Sequence, residues 1–263
     1  MEIYVRSRGF SQENGYCWVP QTPSILTTNR VTELIQSEAH SLVLARYGRQ
    51  LLLLVTGLEA KGRLDFRDRK IRNSIAWVGE DSPETSTQLR AIAVRALRSF
   101  LEADKADNLD ADIDRAIVFG GADGFQVSWE ELSRLSDNLP RMQSSGNLER
   151  EREELATDKV GNNCDFLKED LAEILECYAL PKREGVLVVV TGIKSEEAIV
   201  QAGVWRGLSK TISTQDWKTV RERKYPPTTP NEPLGKSNPL NETATLVAAI
   251  VGIAMVLFGW LWF

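Results

Sequence analysis

Leu51-Leu52-Leu53-Leu54-Val55-Thr56-Gly57-Leu58 decides the fold. Its first five residues are apolar without alternation. A strand of that kind is covered on both faces, so the chain must supply helices on each side of a sheet. Gly48-Arg49 joins this run to Ser41–Tyr47, the two-residue spacing of a hairpin. Further along, Val186-Leu187-Val188-Val189-Val190-Thr191-Gly192-Ile193 repeats the pattern. We read the likeness as coincidence among buried strands rather than as a duplicated unit. Together the two runs predict an α/β (or α+β) fold, a mixed β-sheet flanked by helices.

Around these strands the periodicity supplies the other elements. Ile3–Val5, Tyr16–Val19, Arg63–Phe66 and Lys70–Val78 read as strands, and Ala116–Phe119 as a shorter one. Thr85–Leu101 carries Leu89, Ile92, Ala93, Ala96, Leu97 and Phe100 at helical spacing, which leaves Arg90, Arg95 and Arg98 for other faces. Arg98 and Glu102 are spaced for a local ion pair. Gly120–Gly124 is a turn, and Ser128 precedes a helix. Asp165–Ala179 is a second amphipathic helix, and Ser195–Ile212 is predicted to be a third. The expected organisation is a strand-rich domain over 1–140, a charged linker or solvated helix over 141–163, and a helix-strand-helix part over 164–222 that packs on the first.

Beyond residue 222 the composition changes. Residues 223–243 form a spacer in which Tyr225–Thr243 holds five of the ten prolines, giving a semi-rigid extended chain. Ala244–Phe263 has no charge and no proline; as a helix its twenty residues reach about 30 Å, the thickness of a bilayer core. Trp260 and Trp262 suit an interface, while Ala244, Ala248 and Gly252, with Gly259 on a neighbouring face, offer a small-residue stripe for homodimerisation. Lys210, Lys218, Arg221, Arg223, Lys224 and Lys236 all precede the segment. The expectation is a single-pass, tail-anchored protein in contact with the lipid bilayer, its large N-terminal part in the cytoplasm.

Chemistry is sparsely signalled. The net charge of −5 argues against a general nucleic-acid partner. Cys17, Cys164 and Cys177 lack metal-ligand spacing, and the lone His40 builds no metal site by itself, so neither a metal nor a cofactor is expected. His40 reads as a surface or hydrogen-bonded residue. Arg67, Arg69, Lys70 and Arg72 are the densest charge feature, suited either to an anionic ligand or partner or to a solvated strand face. Lys194 and Ser195 follow Thr191-Gly192 where a strand passes into a helix, a place that can present N–H groups to an anion; the upstream glycine of a phosphate loop is missing.

Met1-Glu2-Ile3-Tyr4-Val5-Arg6-Ser7-Arg8-Gly9-Phe10 and Arg72-Asn73-Ser74-Ile75-Ala76-Trp77-Val78-Gly79 resemble a set of uncharacterised bacterial membrane-anchored proteins, some accompanying NTPase-based defence or signalling systems. The resemblance covers about residues 1–100. It carries no catalytic residue over, and it directs attention to Arg6, Arg8, Arg72, Asn73 and Trp77. The expected function is a membrane-tethered binding or adaptor module with a protein partner. The alternatives are a ligand-sensing membrane effector and a hydrolase with a spatially assembled site.

Overall fold

The computed structural model describes residues 1–29, 31–101, 108–137, 139, 142 and 148–222. Met1–Lys224 forms one compact unit. In chain order its elements are β1 (Glu2–Ser7), β2 (Cys17–Val19), α1 (Ser24–Thr28), a 3-10 turn (Val31–Leu34), β3 (Ser41–Tyr47), β4 (Gln50–Leu64), β5 (Lys70–Glu80), α2 (Pro83–Leu101), α3 (Leu109–Arg115), β6 (Ile117–Phe119), β7 (Phe125–Val127), α4 (Trp129–Asp137), α5 (Leu148–Ala156), β8 (Thr157–Asn162), α6 (Asp165–Cys177), β9 (Gly185–Thr191), α7 (Glu196–Gln201), β10 (Arg206–Ser209) and β11 (Lys218–Glu222). The main sheet runs β11-β8-β10-β9-β3-β4-β5-β1-β2, and β6-β7 is a separate hairpin. The fold is mixed α/β, with a large mixed sheet flanked by helices.

The sheet has two halves of different character. β1 to β5 are antiparallel neighbours, whereas β8, β10 and β9 are mutually parallel. β3 joins them, antiparallel to β4 on one side and to β9 on the other. The Gly48-Arg49 hairpin forms as its spacing requires, with Gly48 at φ +59°. Alternate residues of the central strands serve opposite cores. Leu51, Leu53 and Val55 point toward α2, α3 and α6, and Leu52 and Leu54 point toward α1, the 3-10 turn and α7. All five are fully buried, as an unbroken apolar run demands.

The two similar sequences occupy matching places. Leu42, Val43 and Leu44 of β3 face Val55, Leu54 and Leu53 on one side and Val190, Val189 and Val188 on the other. Thr56-Gly57 and Thr191-Gly192 therefore lie on either side of the start of β3, where Thr191 ends β9 while β4 runs on along β5 to Leu64.

Three sequence expectations are corrected. Stretch 141–163 is not simply a linker or solvated helix, because it contains α5 and strand β8, whose Val160 is fully buried between β10 and β11. Ser195–Ile212 is not one helix. α7 ends after Gln201, Gly203 takes φ +68°, and the chain re-enters the sheet as β10. Trp205 and Leu208, whose spacing imitates a helix face, are instead buried in the core in and beside that strand. Arg90 does not lie on an outer face of α2. It is buried, and its Nη1 donates to the carbonyls of Leu175 (2.9 Å) and Tyr178 at the end of α6. Arg98 meets Glu169 and Glu176 of α6; Glu102 lies outside the described residues. So do the spacer and Ala244–Phe263. Among the described residues no helix is long and apolar enough to cross a membrane.

Candidate functional site: a basic cleft at one edge of the sheet

The carboxyl ends of the parallel strands β8, β9 and β10 open at the edge where β3 begins and its pairing with β4 stops. Open parallel sheets commonly bind ligands at this kind of edge, because loops diverge there and leave a crevice. Each strand delivers its next residue to one cavity of about 250 Å³: Asn163 after β8, Gly192 after β9 and Lys210 after β10. His40, Phe100, Lys168 and Arg72 complete much of the wall.

The Gln36–His40 segment crosses this edge and is clamped by the two Thr-Gly ends. Thr56 Oγ1 donates to the Gln36 carbonyl at 2.6 Å. Gly57, at φ +78°, lies so close that a Cβ would sit 2.2 Å from the Ala39 carbonyl carbon and 2.6 Å from the His40 nitrogen. A Cβ on Gly192 would come 2.4 Å from Gln36 Nε2. Backbone proximity at Gly57 thus fixes where His40 enters the cavity.

His40 and Asp110, seventy residues apart, are paired in space. Nε2 of the imidazole is 2.8 Å from Asp110 Oδ2, which also accepts the Glu59 amide at 3.1 Å. The imidazole stacks on Phe100 with 4.4 Å between centroids and an 11° interplanar angle. Asp110 is presented by the first turn of α3, whose Asn108 side chain accepts the Ala111 amide as N-cap. Such a carboxylate fixes the ring's orientation. Among the described residues no hydroxyl or thiol hydrogen-bonds to His40.

A second cavity of about 440 Å³ adjoins the first across Arg72 and Glu38. Arg6, Arg8 and Tyr16 line it from the β1–β2 side, and Asp65, Arg69 and Lys70 from the turn before β5. A separate buried network ties the strands to α3. Arg63 donates to Ser7 Oγ (3.2 Å), Asn73 Oδ1 (3.1 Å) and Asp114 Oδ1 (3.3 Å), and the Ser7 hydroxyl donates to Asn73 Oδ1 at 2.7 Å. Burial pushes the Arg63 pKa down, and Asp114 opposes the shift. Asp65 organises the rim. It pairs with Arg69 (2.7 Å) and Arg8 (3.1 Å) and accepts the Arg67 and Arg69 amides. The bonds from Arg69 lead in holding its pKa down to about 2.

The two cavities together are lined by seven cationic side chains, Arg6, Arg8, Arg69, Lys70, Arg72, Lys168 and Lys210, against the carboxylates Glu38 and Asp65. Glu59 reaches Lys70 and Arg72 from outside, and Asp165 reaches Lys168. Arg6 and Lys210 have no carboxylate partner among the described residues. Arg6 instead lies 4.7 Å over the Tyr16 ring and donates to Ser37 Oγ at 3.4 Å.

Of the residues singled out in the sequence, Arg69, Lys70 and Arg72 come together here with Arg6 and Arg8. Arg67 packs over Phe66 and lines neither cavity. Lys194 and Ser195 also stay apart. Ser195 caps α7 by accepting the Ala198 amide, and Lys194 offers its carbonyl to Thr211. Asn73 and Trp77 are buried, Asn73 against Arg63 and Trp77 in the core. Sequence reasoning missed Lys168, Lys210 and the Asp110 partner of His40. Recognising β10 as a strand was the one signal that would have aligned Asn163, Gly192 and Lys210 as three strand-end residues. Among the described residues no group of acidic, histidine or cysteine side chains is arranged to hold a metal ion. Comparison of the chain with protein-family models, curated proteins and solved structures finds no match to any of them.

Proposed function

We propose that this protein is a membrane-tethered binding module whose ligand is anionic, taken up in the basic cleft. One observation carries the reading: a chain of net charge −5 gathers seven cations around a cleft at the carboxyl ends of parallel strands. Converging guanidinium and ammonium groups repel one another, and an anion at their focus relieves that repulsion through charge-assisted hydrogen bonds. Phosphate-bearing small molecules fit this chemistry. The uncharged segment Ala244–Phe263 supplies the tether, the proline-rich stretch before it the spacer, and the preceding basic residues a cytoplasmic orientation. Tethering confines the module to two dimensions, where weak contacts with a protein partner or a second copy are strengthened.

The test has two arms. The full chain should sediment with membranes, resist alkaline carbonate and be released by detergent; recovery in the soluble fraction removes the tether. Purified in detergent, it should bind at least one of ATP, inorganic pyrophosphate and fructose 1,6-bisphosphate saturably, and Arg72→Glu should weaken that binding by about tenfold or more. Absence of saturable binding, or indifference to Arg72→Glu in a folded variant, overturns the anion reading.

The His40–Asp110 pair favours a second reading, a hydrolase in which the imidazole accepts a proton from water attacking a bound ester. Phosphoester turnover that disappears in His40→Ala distinguishes it from binding alone.

A further inference from the structure

The cleft is divided as well as basic, and the division specifies the ligand further. Its two chambers, of about 250 and 440 Å³, meet at Arg72 and Glu38. Each chamber has its own cation without a carboxylate partner among the described residues: Lys210 in the first and Arg6 in the second. Arg72 stands between them, its guanidinium held by the Gly57 carbonyl (3.4 Å) and by Glu59 (3.0 Å). Glu38 is exposed at the same junction, and its carboxylate accepts the Ser37 amide at 3.1 Å.

Resting on the anion reading above, we propose that the ligand carries two separate phosphate groups joined by an uncharged, hydroxyl-bearing scaffold, a sugar or nucleoside bisphosphate. One phosphate occupies the chamber of His40, Lys168 and Lys210. The other occupies the chamber of Arg6, Arg69 and Lys70. The scaffold crosses at Arg72 and Glu38. A carboxylate at the crossing repels a continuous anionic chain and accepts hydrogen bonds from hydroxyl groups, so a linear polyphosphate is disfavoured where a polyol is welcomed. Joining two anionic heads in one molecule makes the second contact intramolecular, so affinity rises without any new type of contact.

The experiment is calorimetric titration of the detergent-solubilised full chain with fructose 1,6-bisphosphate and adenosine 3′,5′-bisphosphate. Fructose 6-phosphate, adenosine 5′-monophosphate and inorganic pyrophosphate are the comparison probes. At least one bisphosphate should bind about tenfold or more tightly than its monophosphate. Lys210→Ala and Arg6→Ala should each weaken that bisphosphate by about fivefold or more. Glu38→Gln should raise the affinity for pyrophosphate more than that for the bisphosphate. If monophosphates bind as tightly as both bisphosphates, or if only one of the two alanine variants weakens bisphosphate binding, the two-headed ligand is wrong while the anion reading stands. If no probe binds, both fall together. Thermal melts of each variant separate lost binding from lost folding.

Discussion

At the residue scale, charge placement shapes this protein more than any reactive group does. Asp65 shows how one side chain organises several. Among its partners are the guanidiniums of Arg8 and Arg69 and the amides of Arg67 and Arg69, and its pKa falls from 3.8 to about 2. A carboxylate with a depressed folded-state pKa stabilises the fold above its unfolded pKa, and that contribution disappears as pH falls through the folded value. Stability from Asp65 is therefore complete above about pH 4 and is lost between about pH 4 and 2. Asp65→Asn should lower stability at neutral pH and flatten the acid limb of the stability curve in that window, measured by urea melts across pH; parallel curves would reject this role. None of this was legible locally. The cluster Arg67–Arg72 was visible as charge, but which cations enter the cleft depends on the turn that Asp65 holds. That turn places Arg69 and Lys70 along the cleft and leaves Arg67 stacked on Phe66.

At the element scale, the unbroken apolar runs β4 and β9 were readable because full burial on both faces leaves no polar alternation. β8 and β10 were not. β10 has four residues, and Arg206 at its start is fully buried. A charged residue in a central strand contradicts every sequence rule unless a partner is supplied from elsewhere. The supply is tertiary. Glu154 of α5 pairs with Arg206, the carbonyls of Glu154, Thr157 and Trp205 accept from its Nη1 and Nη2 while Nε is left without a hydrogen-bond partner among the described residues, and Trp205 and Trp217 flank the guanidinium at 4.4 and 5.9 Å. Burial pulls the Arg206 pKa down, and Glu154 pulls it back up. Glu154→Gln leaves this cation uncompensated inside the protein, so it should destabilise by about 3–5 kcal/mol in denaturant melts. A loss below about 1 kcal/mol, the value of a surface pair, would show that water reaches Arg206.

For the whole molecule, the described fold and the proposed membrane tether make separate demands. Met1–Lys224 is a compact unit with apolar cores on both faces of its sheet. A 1–224 fragment should be recovered without detergent and melt in one cooperative transition by circular dichroism; a broad, non-cooperative melt would show that the remaining residues are part of the fold. By itself the sequence determined the α/β class, the two buried strands, the main helix α2 and the apolar segment 244–263, because each is a statement about consecutive residues and the medium they prefer. Only the tertiary structure decided that 157–162 and 206–209 are strands, that β3 unites the two halves, that His40 meets Asp110, and that Arg6, Arg72 and Lys210 face one cleft. Those outcomes depend on pairing between residues tens of positions apart. Chain topology sets that pairing, and no local periodicity encodes it.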